Sequence, residues 1–105
     1  MSKEKILAEA QLYQQQMQTI ISQKDMFNMQ LYEIKNAIES VENSKESNVY
    51  KITGPILIKT PKADIKKDLK EKEELIDLRI KTLNKSEEKI KSMLEDIKEK
   101  LSKEN

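Results

Sequence analysis

The 105 residues include 37% charged and only 4% aromatic side chains, with one glycine, no cysteine and no histidine. Such a chain has little material for a compact core, and its Lys, Glu, Leu and Ile richness points to long helices. Disulfides, thiol nucleophiles, Cys/His zinc sites and imidazole bases are excluded, and a net charge of +1 gives no one-signed field for nucleic acid or anionic lipid.

The first arm, about residues 2–43, contains neither Gly nor Pro. Ile6, Tyr13, Ile20, Phe27, Ile34 and Val41 recur every seven residues, which keeps one stripe of a helix facing a partner helix. With that ladder at position d, Ala10, Met17, Lys24, Leu31 and Ile38 fall at position a, and only Lys24 breaks the apolar seam. Ser2 is the expected N-cap, with Glu4 in the first turn where the helix dipole favours an acid. Every glutamine of the chain lies in this arm, including Gln14, Gln15 and Gln16. Because the heptads run straight through them, they read as a solvated helix face rather than low complexity.

After a small polar stretch, Val49-Tyr50-Lys51-Ile52-Thr53-Gly54-Pro55-Ile56-Leu57-Ile58-Lys59-Thr60 is dense in β-branched and aromatic residues. It predicts a β-hairpin over about 49–59, with strands near 49–52 and 56–59 and a turn at Gly54 and Pro55. A two-stranded hairpin is marginal alone in water, and this chain offers no third strand. Its edges are therefore expected to pair with hairpins of other chains.

Thr60 as N-cap and Pro61 as first residue open the expected second helix, about 61–103. Its ladder is Leu69, Ile76, Leu83, Ile90 and Ile97, and Leu75, Leu78 and Met93 lie off that seam. Pairs such as Asp68/Lys72 and Asp96/Lys100, an acid four residues before a base, add helix support. Folding the second arm back on the first pairs residues whose numbers sum to about 107, for example Ile6 with Leu101, Phe27 with Ile80 and Ile38 with Leu69. Lys24 then faces Leu83 about one turn from Glu87, and this charge pair is expected to help select the register.

No residue set looks catalytic or metal-binding, and no cofactor is expected. The carboxylates sit beside lysines on solvated faces, and Lys66, Lys67 and Lys70 interleave with Asp64, Asp68 and Glu71. The apolar ends of the two arms are more informative. Ile6, Leu7, Leu12 and Tyr13 come together with Met93, Leu94, Ile97 and Leu101 at the tip of an antiparallel hairpin. Seam packing accounts for five of these, but not for Leu7, Leu12 and Met93, so apolar surface is left exposed there. The first residues, Met1-Ser2-Lys3-Glu4-Lys5, lack a signal peptide's apolar core, and no run nears the roughly 18 residues of a membrane span. A soluble cytoplasmic protein is expected.

From Tyr50 to Lys59, and through LKEKEELIDLRIKTLNKSEEKI from Leu69 to Ile90, the chain resembles the β class of prefoldin subunits, and its overall look suits an archaeal member. The likeness covers nearly the whole chain, including the glutamine-rich first helix, and implies a single domain over 1–105. The α class is longer and carries two hairpins. The resemblance implies a hexamer of two α and four β subunits with a β-barrel platform built from the hairpins, here Val49, Tyr50, Ile52, Ile56, Leu57 and Ile58. The tip residues named above would hold unfolded or nascent polypeptides without ATP, before transfer to a group II chaperonin. Pro55 stands where the family usually has another residue. The last heptad lies close to the final residue given, so no long tail is expected to assist at the tip. The rival reading is a homo-oligomeric coiled-coil scaffold that handles no clients. A nucleic-acid-binding helical hairpin is disfavoured by the charge balance.

Overall fold

The computed structural model describes residues 2–103. Four elements follow in order: α1 (Lys3–Asn43), β1 (Asn48–Thr53), β2 (Ile56–Pro61) and α2 (Lys62–Lys103). They group into two compact units, each taking a stretch of both helices. One is a helical unit, Met1–Met26 with Ile80–Asn105, and the other a hairpin unit, Phe27–Arg79.

In the helical unit, Ser2 caps α1 as its chemistry predicts. Its Oγ accepts the Lys5 N–H at 3.3 Å and its carbonyl accepts the Ile6 N–H at 3.2 Å. The buried side chains are Ile6 and Ile20 of α1 with Ile90 and Ile97 of α2, all on the expected ladders. Tyr13, Met17, Leu83, Leu94 and Leu101 are half-buried, and no described side chain is fully enclosed. Two helices share one seam, so the apolar residues at its margins keep a flank toward solvent.

In the hairpin unit, Ile38 and Ile76 are the buried residues. The Arg79 guanidinium lies 5.8 Å from the centre of the half-buried Phe27 ring, a cation–π contact that covers part of its open side. α1 ends without a basic residue in its last turn. The compensation comes from Lys62, whose ammonium donates to the carbonyls of Glu42 at 3.2 Å and Ser44 at 2.7 Å. A cation at the negative end of the helix dipole satisfies carbonyls that have no partner within α1.

The strands pair antiparallel, with Tyr50 opposite Lys59, Ile52 opposite Leu57 and Thr53 opposite Ile56. Two residues, Gly54 and Pro55, make the turn. Gly54 has φ +59°, and no other described residue has positive φ. Positive φ at the first central position alone is the II′ pattern, whose twist matches the strands, and the fixed negative φ of Pro55 suits the second position. The proline thus fits the turn rather than disturbing it.

One local reading is corrected. Thr60 does not cap α2 and Pro61 does not begin it, since both remain in β2, opposite Val49 and Asn48. The Thr60 hydroxyl donates instead to the Ile58 carbonyl at 3.1 Å, and the Lys62 N–H donates to the Ser47 carbonyl at 3.1 Å. Cross-strand pairing carries the ladder past the point where local signals start a helix.

Candidate functional site: exposed apolar surfaces

The hairpin presents apolar side chains on both faces. Alternation along a strand puts Tyr50, Ile52 and Leu57 on one face and Val49, Ile56 and Ile58 on the other. Tyr50, Ile52 and Leu57 are 67%, 75% and 64% exposed, and Ile56 and Ile58 are also open; only Val49 is half-buried. Val49 reaches a groove of about 580 Å³ walled by Ala37, Val41, Ile65, Leu69 and Leu75. Among the described residues the sheet has two strands, so both outer edges of the ribbon are open. A ribbon apolar on both faces and open at both edges is an unfinished sheet.

The helical unit sorts the other predicted residues. Ile6 and Ile97 are buried in the seam, while Tyr13, Met93, Leu94 and Leu101 are half-buried. Leu7 and Leu12 lie open, at 49% and 52% exposure. Leu7 and Leu12 match the off-seam reading. Met93 is only partly uncovered. Sequence reasoning did not single out Ile21 and Met26 in this unit, nor Met29 and Tyr32 in the hairpin unit, all of which are exposed. Each falls outside the a and d positions, so the same heptad arithmetic finds them when it is applied to every apolar residue.

Electrostatics enter where the seam is broken. Lys24 Nζ donates to Glu87 Oε2 at 2.8 Å, and Lys91 Nζ lies 3.2 Å from Glu87 Oε1. The hydrogen bond from Lys24, followed by that from Lys91, holds the Glu87 carboxyl below the usual glutamate range, against a smaller desolvation effect. In the hairpin unit, the Lys66 ammonium 3.0 Å from Glu42 does the same for that carboxyl. Among the described residues no cluster of acids could hold a metal ion, and no helix is long and apolar enough to cross a membrane.

Two long helices joined by a two-stranded ribbon, packed on each other along heptad ladders, define a coiled-coil subunit. The family model described as prefoldin subunit matches residues 4–105. The chain is 36% identical over 97 residues to prefoldin subunit beta of Thermococcus onnurineus, covering 91% of this chain and 84% of that protein. It is 37% identical over the same length to prefoldin subunit beta of Archaeoglobus fulgidus. The crystal structure of the prefoldin beta subunit from Thermococcus strain KS-1 superposes with a TM-score of 0.90 at 30% identity, covering 95% of this chain and 89% of that one. The chain belongs to the prefoldin subunit family, and its relatives named here are archaeal β subunits. That family is one of chaperones and not of enzymes.

Proposed function

We propose that the chain is the β-type subunit of a cytoplasmic hexamer of two α and four β subunits that holds unfolded or nascent polypeptides without ATP and passes them to a group II chaperonin. Val49, Tyr50, Ile52, Ile56, Leu57 and Ile58 join the hairpins of neighbouring subunits in a β-barrel platform. Covering both faces gives each exposed side chain about 1.5–3 kcal/mol of transfer free energy, and pairing the edges satisfies the open backbone groups. The helix ends meet clients.

The observation that carries the client-holding role is the state of Leu7 and Leu12, which stay about half exposed beside the buried Ile6 and Ile97. Exposed leucines on a narrow helical pair give a surface that accepts apolar segments with little demand on their sequence. The half-buried Met93 of α2 adds an adaptable side chain.

The test is suppression of aggregation by the complex assembled with an α-type subunit, in the absence of nucleotide. Replacing Leu7, Leu12 and Met93 together by Ser should abolish most of that suppression while the mass of the complex stays unchanged. Full suppression by this variant refutes the assignment of the helix ends.

A further inference from the structure

Along α1 in the helical unit, two shallow grooves meet at Gln15, Thr19 and Gln23. One, of about 570 Å³, reaches across to Leu83, Ser86 and Ile90 of α2 and takes in Leu12 and Ile20. The other continues along Gln18, Ser22 and Met26. Among the described residues, neither groove has a Lys, Arg, Asp or Glu on its walls, in a chain where those types make up 37% of residues. The groove beside the hairpin, by contrast, is lined in part by Lys51, Asp68, Glu71 and Lys72. Among the described residues, the side-chain amides of Gln15, Gln18 and Gln23 bond to no other protein group.

We propose that this glutamine-lined strip seats an extended stretch of client backbone and does so regardless of the client's charge. The inference rests on the reading that the helix ends hold unfolded polypeptides, and it extends that surface inward from Leu12. An unfolded segment presents apolar side chains together with backbone N–H and C=O groups that have no partner. The exposed Leu12 and Met26, with the half-buried Leu83, suit the first. Glutamine suits the second, because its amide both donates and accepts, whereas Lys can only donate and an ionised Glu can only accept. A charged wall would also sort clients by sign. The neutral lining matches a partner that is defined by its exposed backbone and not by its charge.

The experiment uses the complex assembled with an α-type subunit and two labelled unfolded peptides of equal apolar content, one bearing Lys and the other Glu. The unaltered complex should bind both alike. Gln15→Glu with Gln23→Glu should weaken the acidic peptide relative to the basic one by roughly tenfold at low salt, and Gln15→Lys with Gln23→Lys should reverse the preference. Glu, Lys and Gln have similar helix propensity, so the fold is not in question. Unchanged affinities for both peptides overturn the proposal. So does a change in the mass of the complex without a change in peptide selectivity, because the strip would then be a subunit contact. Either result leaves the helix-end assignment to be judged separately by the Leu7, Leu12 and Met93 variant.

Discussion

Lys24 and Glu87, sixty-three residues apart in sequence, meet in a hydrogen-bonded ion pair of 2.8 Å at the one charged a position of the first ladder. Both side chains are mostly shielded, at 24% and 18% exposure. Sliding one helix past the other by a heptad would leave Lys24 among apolar neighbours without its acid. A polar contact of this kind costs little in the right register and penalises wrong ones, so it specifies alignment more than it stabilises.

The first prediction tests that role. Lys24→Glu puts an acid beside Glu87 and should lower the melting temperature by roughly 5 °C at fixed subunit concentration. Glu87→Lys should act in the same direction, since it gathers three cations. Combining the two restores opposite charges and should recover most of the loss. A double variant as unstable as the sum of the singles would show that the pair carries no coupling.

Acid should loosen the same unit. The Glu87 carboxyl is held below its ordinary value of 4.5 by Lys24 first and then Lys91. A carboxylate whose folded-state pKa is depressed contributes stability that is complete above the unfolded value and is lost as pH falls through the folded one. Stability should therefore decline as pH drops below about 4.5, and Glu87→Gln should flatten part of that decline. Carbon-13 NMR titration is the direct check. Glu87 and Glu42 should both titrate below 4.5, and a midpoint at or above it for Glu87 would remove the basis of the prediction.

How far the sequence leads depends on whether a feature is periodic, local or cooperative. Ladders such as Ile6, Ile20, Ile90 and Ile97 announce the seam because burial recurs every seven residues, and Ser2 announces its cap because that chemistry lies within one turn. The Lys24–Glu87 contact follows from folding one ladder on the other. Thr60 and Pro61 mislead for a different reason. Their local signals favour a helix start, yet pairing with Val49 and Asn48 keeps both in the strand. The neutral groove is harder still, because Leu83 and Ser86 join Gln15 and Gln23 only once the helices have packed. Met26 and Tyr32 are legible by the same arithmetic as Leu7 and Leu12, since both lie outside the a and d positions of the first ladder.

Assembly should fail by face. Ile56→Asp with Ile58→Asp charges one face of the ribbon, and Ile52→Asp with Leu57→Asp charges the other. All four positions are exposed while the helix seam is buried at Ile38 and Ile76, so helix content by circular dichroism should hold. Each double substitution replaces two apolar side chains that assembly would cover, at about 1.5–3 kcal/mol apiece, so affinity for an α-type subunit should fall at least a hundredfold. Native mass spectrometry of the mixture reads this directly. A complex of normal mass from both double variants would exclude the hairpin as the assembly surface.

The last prediction concerns the junction where the hairpin leaves the helices. Lys62 occupies it with three bonds: its backbone N–H to Ser47 and its ammonium to the carbonyls of Glu42 and Ser44. Lys62→Met keeps the backbone bond and the apolar stem but removes the ammonium bonded to the carbonyls at the end of α1, leaving Lys66 on the Glu42 carboxylate as the cation there. Water can replace part of what is lost at this partly open site, so the cost should be about 1 kcal/mol, mostly local. Hydrogen exchange separates this from global destabilisation. Amides of the hairpin and the last turn of α1 should exchange roughly fivefold faster, while those around Ile20 and Ile90 keep their protection. If protection falls equally in both units, Lys62 contributes to the stability of the whole chain and not to the anchoring of its hairpin.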